Sequence, residues 1–299
     1  MKAEQTRSVF AAIVGRPNVG KSTLLNRLVG EKVAIVTPKP QTTRTRITGV
    51  LTKNETQMVF IDTPGFHSPK SKLSEYMIKK VRESVCDVDV AVIVTEALGE
   101  IRENEKTLLE SIVQRNIPAL LVINKIDALE QKELMLEKIA AFSKLHEFSQ
   151  IIPISALTGD GVDILLEKIS AFALPGPHYF DRDDYTDQPE RAMVAETVRE
   201  KLLLSMSEEV PHGIAVVVEE MKEREDKELI DISVNIYCEK MSHKGMVIGK
   251  GGEMLKKIGS SARRDIEAFL GVPVNLQCWV KVKEDWRNRD GLLKEFGLR

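Results

Sequence analysis

The stretch VFAAIVGRPNVGKSTLLNRL, Val9 to Leu28, decides how the first half of this chain is read. Its first six residues are uninterrupted apolar and β-prone, which predicts a strand buried on both faces. The next eight, GRPNVGKS from Gly15 to Ser22, fit the spacing GxxxxGK[ST] and lead into a helical pattern from Lys21 to Leu28. Glycines at Gly15 and Gly20 let the backbone curl, so that the N–H groups of the loop and the helix N-terminus converge on an anion. In such a loop Lys21 reaches the outer phosphates of a nucleotide, the Ser22 hydroxyl ligates Mg²⁺, and Val19 and Thr23 offer their backbone N–H groups. A chance match to eight residues is common, but strand, loop and helix in the required order are not.

Working outward, short apolar runs alternate with longer amphipathic ones. Strands are expected at 9–14, 56–62, 88–94, 118–124 and 151–155, and helices at 21–28, 74–85, 104–114, 132–148 and 162–172. This alternation predicts an α/β domain with a mostly parallel sheet, ligands lying beyond the C-terminal strand ends. Three more motifs fall at those ends. DTPG, Asp62 to Gly65, offers a carboxylate to a Mg²⁺ shell and the Gly65 N–H to a γ phosphate. NKID contributes Asn124, Lys125 and Asp127, and a carboxylate at Asp127 can accept both N1–H and the exocyclic amine of guanine, a donor pair adenine lacks. SAL, Ser155 to Leu157, aims the Ala156 N–H at guanine O6. Each is weak alone; their order at one sheet edge is what carries weight.

The segment 174–189, LPGPHYFDRDDYTDQP, breaks the rhythm with three prolines and four aspartates and reads as an interdomain linker. It divides a domain over 1–173 from another over 190–299, in line with a length of 299 residues. The second half has α+β order: helix, strand, strand, helix, GxxG turn, helix, strand. The turn is Gly249-Lys250-Gly251-Gly252, preceded by Val247 and Ile248. Absent side chains there let a sugar-phosphate backbone approach while a lysine meets the phosphates, and the arrangement resembles a type II KH domain. Ile248, with Val247, is expected in an apolar base groove. Lys256 and Arg263, with Lys257 and Arg264, extend a basic face, and Trp279 and Trp286 are each either base-stacking or buried packing residues.

Charge agrees with this division. The formal net charge is −2, but residues 240–299 carry +6 and the rest −8, as expected of a polyanion partner held at one end. Three scattered cysteines exclude a disulfide framework and a CxxC metal site, and no apolar run nears the ~20 residues of a membrane span. A reducing cytoplasm is the expected location.

With GRPNVGKS, QTTR (Gln41 to Arg44), DTPGF, NKID and SAL in hand, the chain resembles GTPases of the translational type and, more closely, the Era family over nearly its whole length. The resemblance implies GTP hydrolysed to GDP. It makes QTTR a switch whose threonine completes the Mg²⁺ shell, Thr43 being favoured over Thr42. The metal ligands are then Ser22, Thr43 and Asp62, and the catalytic set is Asn18, Lys21, Thr43, Asp62 and Gly65. Phe66 stands where many GTPases have a glutamine that orients water, so another group must do so. Asn18 either shapes the turn or, as in related loops of PNxGKS type, holds K⁺ against the phosphates; His67 reads as a loop residue. The resemblance further implies small-subunit ribosomal RNA near its 3′ end as partner, assembly of the small ribosomal subunit as the process, and peripheral association with a membrane; a monomer is expected. A tRNA-modification GTPase and a constitutive RNA-binding protein with an inert nucleotide domain are the rivals; GxxG disfavours the first and intact GKS, DTPG and NKID the second.

Overall fold

The computed structural model describes residues 6–66, 71–131, 133–206 and 210–298; expectations for His67 and for the start of the helix at Lys132 lie outside them. The chain divides into two compact units. The first comprises Met1–Ala34, Thr43–Lys70 and Ser74–Asp187, and the second Ile35–Thr42, Ser71–Leu73 and Gln188–Arg299.

In the first unit, strands β1 (Arg7–Gly15), β2 (Ile47–Lys53), β3 (Thr56–Asp62), β4 (Val90–Glu96), β5 (Ala119–Asn124) and β6 (Gln150–Pro153) lie in the order β2-β3-β1-β4-β5-β6, with β7 (Leu174–Pro175) joined to β1. Helices α1 (Lys21–Val29), α2 (Lys72–Ser84, whose first two residues belong to the second unit), α3 (Glu103–Val113), α4 (Glu133–Ser143) and α5 (Val162–Ser170) alternate with them. All pairings from β3 through β6 are parallel. Two apolar clusters form, one around Val9, Ile13, Leu24, Leu28 and Phe60, the other around Val14, Ile93, Leu109, Leu121 and Phe142. In α1 the residues Leu24, Leu25 and Leu28 are almost fully buried, worth about 1.5–3 kcal/mol each. Gly30 then ends the helix, its N–H donating to the Asn26 carbonyl, and the Asn26 amide pins the N–H groups of Val33 and Ala34.

Two features depart from the sequence reading. β2, which is not among the expected strands, pairs antiparallel with β3 across the tight turn at Asn54 and Glu55. Segment 174–187 is packed against the first unit. Gly176 N–H donates to Thr6, the Phe180 carbonyl accepts from Gln57, the Val50 N–H donates to Tyr185, and the Tyr179 ring meets Phe10 edge-on at 5.0 Å.

In the second unit, α6 (Glu190–Ser205) is followed by β8 (Ile214–Glu223), β9 (Ile230–Cys238), α7 (Met241–Ile248), α8 (Glu253–Leu270), β10 (Val274–Val282) and α9 (Asp290–Glu295). The sheet order is β10-β9-β8, with β10 parallel and β8 antiparallel to β9, the type II KH topology. Helices α6 and α8 cover one face through Val194, Val198, Leu202, Ile258, Ala262 and Ile266. Two buried charges of α6 hold the segment Ile35–Thr42. Glu200 accepts from the Val36 N–H at 3.0 Å, and the Arg199 guanidinium, also paired with Glu196, donates to the Gln41 and Thr42 carbonyls.

Candidate nucleotide site and nucleic-acid interface

The C-terminal ends of β1, β3, β5 and β6 deliver the four motifs to one edge of the sheet. Lys21 is buried under the loop, its ammonium donating to the carbonyls of Arg16 at 2.8 Å and Gly15 at 3.2 Å. Burial pulls it down to about 8, partly offset by Asp62. Gly20 has φ +96°, and a Cβ there would fall 2.3 Å from the Asn124 amide nitrogen, so only glycine lets β5 close on the loop.

Ser22, Thr43 and Asp62 converge. Ser22 Oγ lies 2.7 Å from Asp62 Oδ2 and 2.9 Å from Thr43 Oγ1, and Thr43 Oγ1 is 3.4 Å from the same carboxylate oxygen. The Thr42 hydroxyl turns into its own segment, bonding Thr37 and the Lys39 carbonyl. Asp62 is fully buried, which raises its pKa, and among the described residues its Oδ1 accepts no hydrogen bond. A buried carboxylate with an unsatisfied oxygen beside two hydroxyls is the hard donor set that Mg²⁺ takes, so the residues fit that ion.

On the base side, Asn124 is a brace. Its Nδ2 donates to Val19 at 2.8 Å and its Oδ1 accepts the Ala156 N–H at 2.9 Å, the N–H that the sequence reading aims at guanine O6. Ser155 Oγ accepts from Thr158, closing the SAL turn. Lys125 donates to the Asn18 carbonyl at 2.8 Å and pairs with Glu96, while Asp127 stands exposed in a short 3₁₀ turn. Arg27, on α1, donates to the Ala156 carbonyl at 3.3 Å and the Leu157 carbonyl at 2.5 Å, fastening the same turn from below. Sequence reasoning passed over Arg27 and Glu96, because their partners lie 130 and 29 residues away and no motif spacing marks them.

In the second unit the GKGG turn joins α7 to α8 with Lys250 and Gly251 exposed. A groove of about 390 Å³ runs beside it, lined by Gly252, Leu255, Lys256, Gly259, Ser260, Arg263, Leu276 and Cys278. Lys256 and Arg263 are thus at the groove, whereas Ile248 is half-buried and outside its lining. Val247, expected beside the bases, is instead fully buried in the core, because it points inward from the last turn of α7. Trp286 is wholly buried and donates to the Gly213 carbonyl at 3.0 Å, while Trp279 is exposed. Burial pushes the Cys278 thiol up to about 11, so the groove wall is uncharged there.

A phosphate loop with an attached hydroxyl and carboxylate cluster, a base-reading edge and a KH unit define a GTP-binding protein with an RNA-binding fold. Residues 10–125 match the family described as 50S ribosome-binding GTPase, and residues 209–287 match the KH domain family. The chain is 49% identical over 291 residues to GTPase Era of Clostridioides difficile, covering 97% of this chain and 98% of that one. With GTPase Era of Alkaliphilus metalliredigens the figures are 50%, 97% and 98%. Two solved structures, each 40% identical and covering 98% of this chain and 99% of the other, superpose closely. A point variant of Aquifex aeolicus Era bound to GDP and AlF₄⁻ gives a TM-score of 0.94. Era in complex with MgGDPNP and nucleotides 1506–1542 of 16S ribosomal RNA gives 0.95. The chain belongs to the Era family of GTPases.

Proposed function

We propose that this GTPase binds the 3′ end of small-subunit ribosomal RNA through its KH unit and acts in assembly of the small ribosomal subunit, with GTP hydrolysis at the first unit. The observation that carries the nucleotide half is the convergence of Ser22, Thr43 and Asp62 at the foot of the phosphate loop. These three hold Mg²⁺, which neutralises charge on the β and γ phosphates. Lys21 leaves its carbonyl partners for the phosphates, the N–H groups of Gly15, Val19, Gly20 and Thr23 surround them, and the Gly65 N–H senses the γ phosphate. Asp127 reads guanine, with Asn124, Lys125, Ser155 and Ala156 shaping the pocket around it.

The RNA half is supported by the groove on α8, by Lys250 at the exposed turn, and by the Era structure that holds a 16S ribosomal RNA fragment at 40% identity. Sequencing RNA crosslinked to the protein in cells tests it: reads should concentrate at the 3′ end of small-subunit ribosomal RNA, and an even spread over the transcriptome would refute it.

The Phe66 side chain supplies no hydrogen-bonding group, so charge compensation must come from elsewhere. We assign Asn18, at the crest of the loop with φ +64°, to hold K⁺ there. Hydrolysis should then be faster in potassium than in sodium at equal ionic strength, and Asn18→Ala should abolish the difference; equal rates in both salts would end the assignment.

A further inference from the structure

The backbone around Phe66 is held from two sides, and only one of them belongs to a nucleotide motif. Its N–H donates to the Gly15 carbonyl at 3.1 Å, in the phosphate loop. Its carbonyl accepts from Asn104 Nδ2 at 3.1 Å, in the first turn of α3. Just before it, Gly65 packs so closely on Pro17 that a Cβ would stand 2.7 Å from three Pro17 atoms. The peptide units flanking Phe66 are therefore fixed between the phosphate loop and α3.

That turn of α3 is itself tied to the phosphate loop. Glu105, beside Asn104 and buried, accepts from the Thr95 hydroxyl at 2.7 Å and the Arg102 N–H at 3.0 Å, and pairs with Arg16 Nε at 3.1 Å. Arg16 also meets Glu96 at 3.2 Å. Its carbonyl is one of the two that Lys21 uses. Asn104 thus projects from a platform anchored to the loop that holds the phosphates, and its amide reaches the segment that must answer to the γ phosphate. The amide oxygen, Oδ1, is buried with no donor facing it among the described residues, and the bond to the Phe66 carbonyl orients this side chain.

We propose that Asn104 is a positioning residue for GTP hydrolysis: by holding the Phe66 carbonyl, while the Phe66 N–H is tied to Gly15, it fixes the backbone that follows Gly65 and so keeps the Gly65 N–H aimed at the γ phosphate. This rests on the hydrolysis site described above. The role follows from the chemistry of Phe66. With no polar side chain at that position, this segment must act through its backbone groups, and a backbone N–H is aimed by fixing the chain beside it. A displaced Gly65 N–H affects the step in which charge grows on the γ phosphate more than it affects nucleotide binding, to which GDP and GTP contribute the same base and inner phosphate contacts.

The test compares the full chain with Asn104→Ala and the isosteric Asn104→Asp in single-turnover GTP hydrolysis, with GDP affinity and thermal midpoint measured alongside. Both variants should lose about tenfold in rate while GDP affinity stays within about threefold. Asn104→Asp offers a carboxylate to a carbonyl and has no donor while ionised. Burial raises the pKa of such an acid, so taking the pH from about 8 to about 6 should restore part of its rate relative to the unmodified protein, as the protonated acid becomes a donor. Asn104→Ala should show no such recovery. Unchanged rates in both variants, or a rate loss matched by an equal loss of GDP affinity, would overturn the proposal. No phosphate release by the unmodified protein would overturn the hydrolysis reading beneath it, a different result.

Discussion

At the scale of single residues, the nucleotide site depends on a close approach that a methyl group would prevent. Replacing Gly20 by alanine puts a Cβ 2.3 Å from the Asn124 amide and asks an L-residue to hold φ +96°. Asn124 braces both Val19 and Ala156, so the clash travels to the phosphate loop and the base turn together. Gly20→Ala should weaken GTP and GDP alike by more than about tenfold, about 1.4 kcal/mol, in a fluorescent-nucleotide titration. Similar affinities would show that Asn124 yields freely. Lys21, Ser22, Asp62 and Asp127 were legible in the sequence because each belongs to a short motif whose spacing encodes its chemistry. Asn104, Glu105, Glu96 and Arg27 were not: each acts on a partner from another motif, and the distance that matters exists only after the sheet has brought the strand ends together.

At the scale of elements, the same contrast recurs. β1, β3, β4 and β5 announce themselves as apolar runs because both faces of a parallel sheet are covered. β2 was missed since its identity comes from pairing with β3, and because Gly49, where Leu25 and Val29 of α1 close in, interrupts its apolar character. Segment 174–187 has the composition of a linker, yet its backbone groups find partners along the first unit's sheet. In the second unit, the proposed RNA contacts lie on α8 and its preceding turn. Lys250→Asp with Gly251→Asp places two carboxylates where phosphates must come, in a turn exposed enough for the fold to survive. RNA affinity should fall more than about tenfold, and the loss of Lys250 alone should flatten the salt dependence by roughly one unit of log–log slope or less. Unchanged affinity in a folded variant would contradict the placement of the RNA at this turn. Trp286 serves packing: removing a wholly buried indole that also meets the Phe296 ring should cost about 3–5 kcal/mol by urea unfolding of the second unit's transition, and a cost below about 1 kcal/mol would contradict that role.

At the scale of the whole molecule, the chain joins an acidic body that handles a nucleotide to a basic end that handles a polynucleotide. The segment Ile35–Thr42 is held by Arg199 and Glu200 of α6, and its last residue is followed in the chain by Thr43, which faces Ser22 and Asp62. The proposed choice of guanine over other bases rests on the edge at Asp127. The most direct measurement is multiple-turnover phosphate release from GTP, ATP and xanthosine triphosphate by the unmodified chain and by Asp127→Asn. The unmodified chain should release phosphate from GTP alone. The variant should lose GTP and gain xanthosine triphosphate, whose C2 carbonyl accepts from the new amide. Equal turnover of ATP and GTP by the unmodified chain would contradict the account.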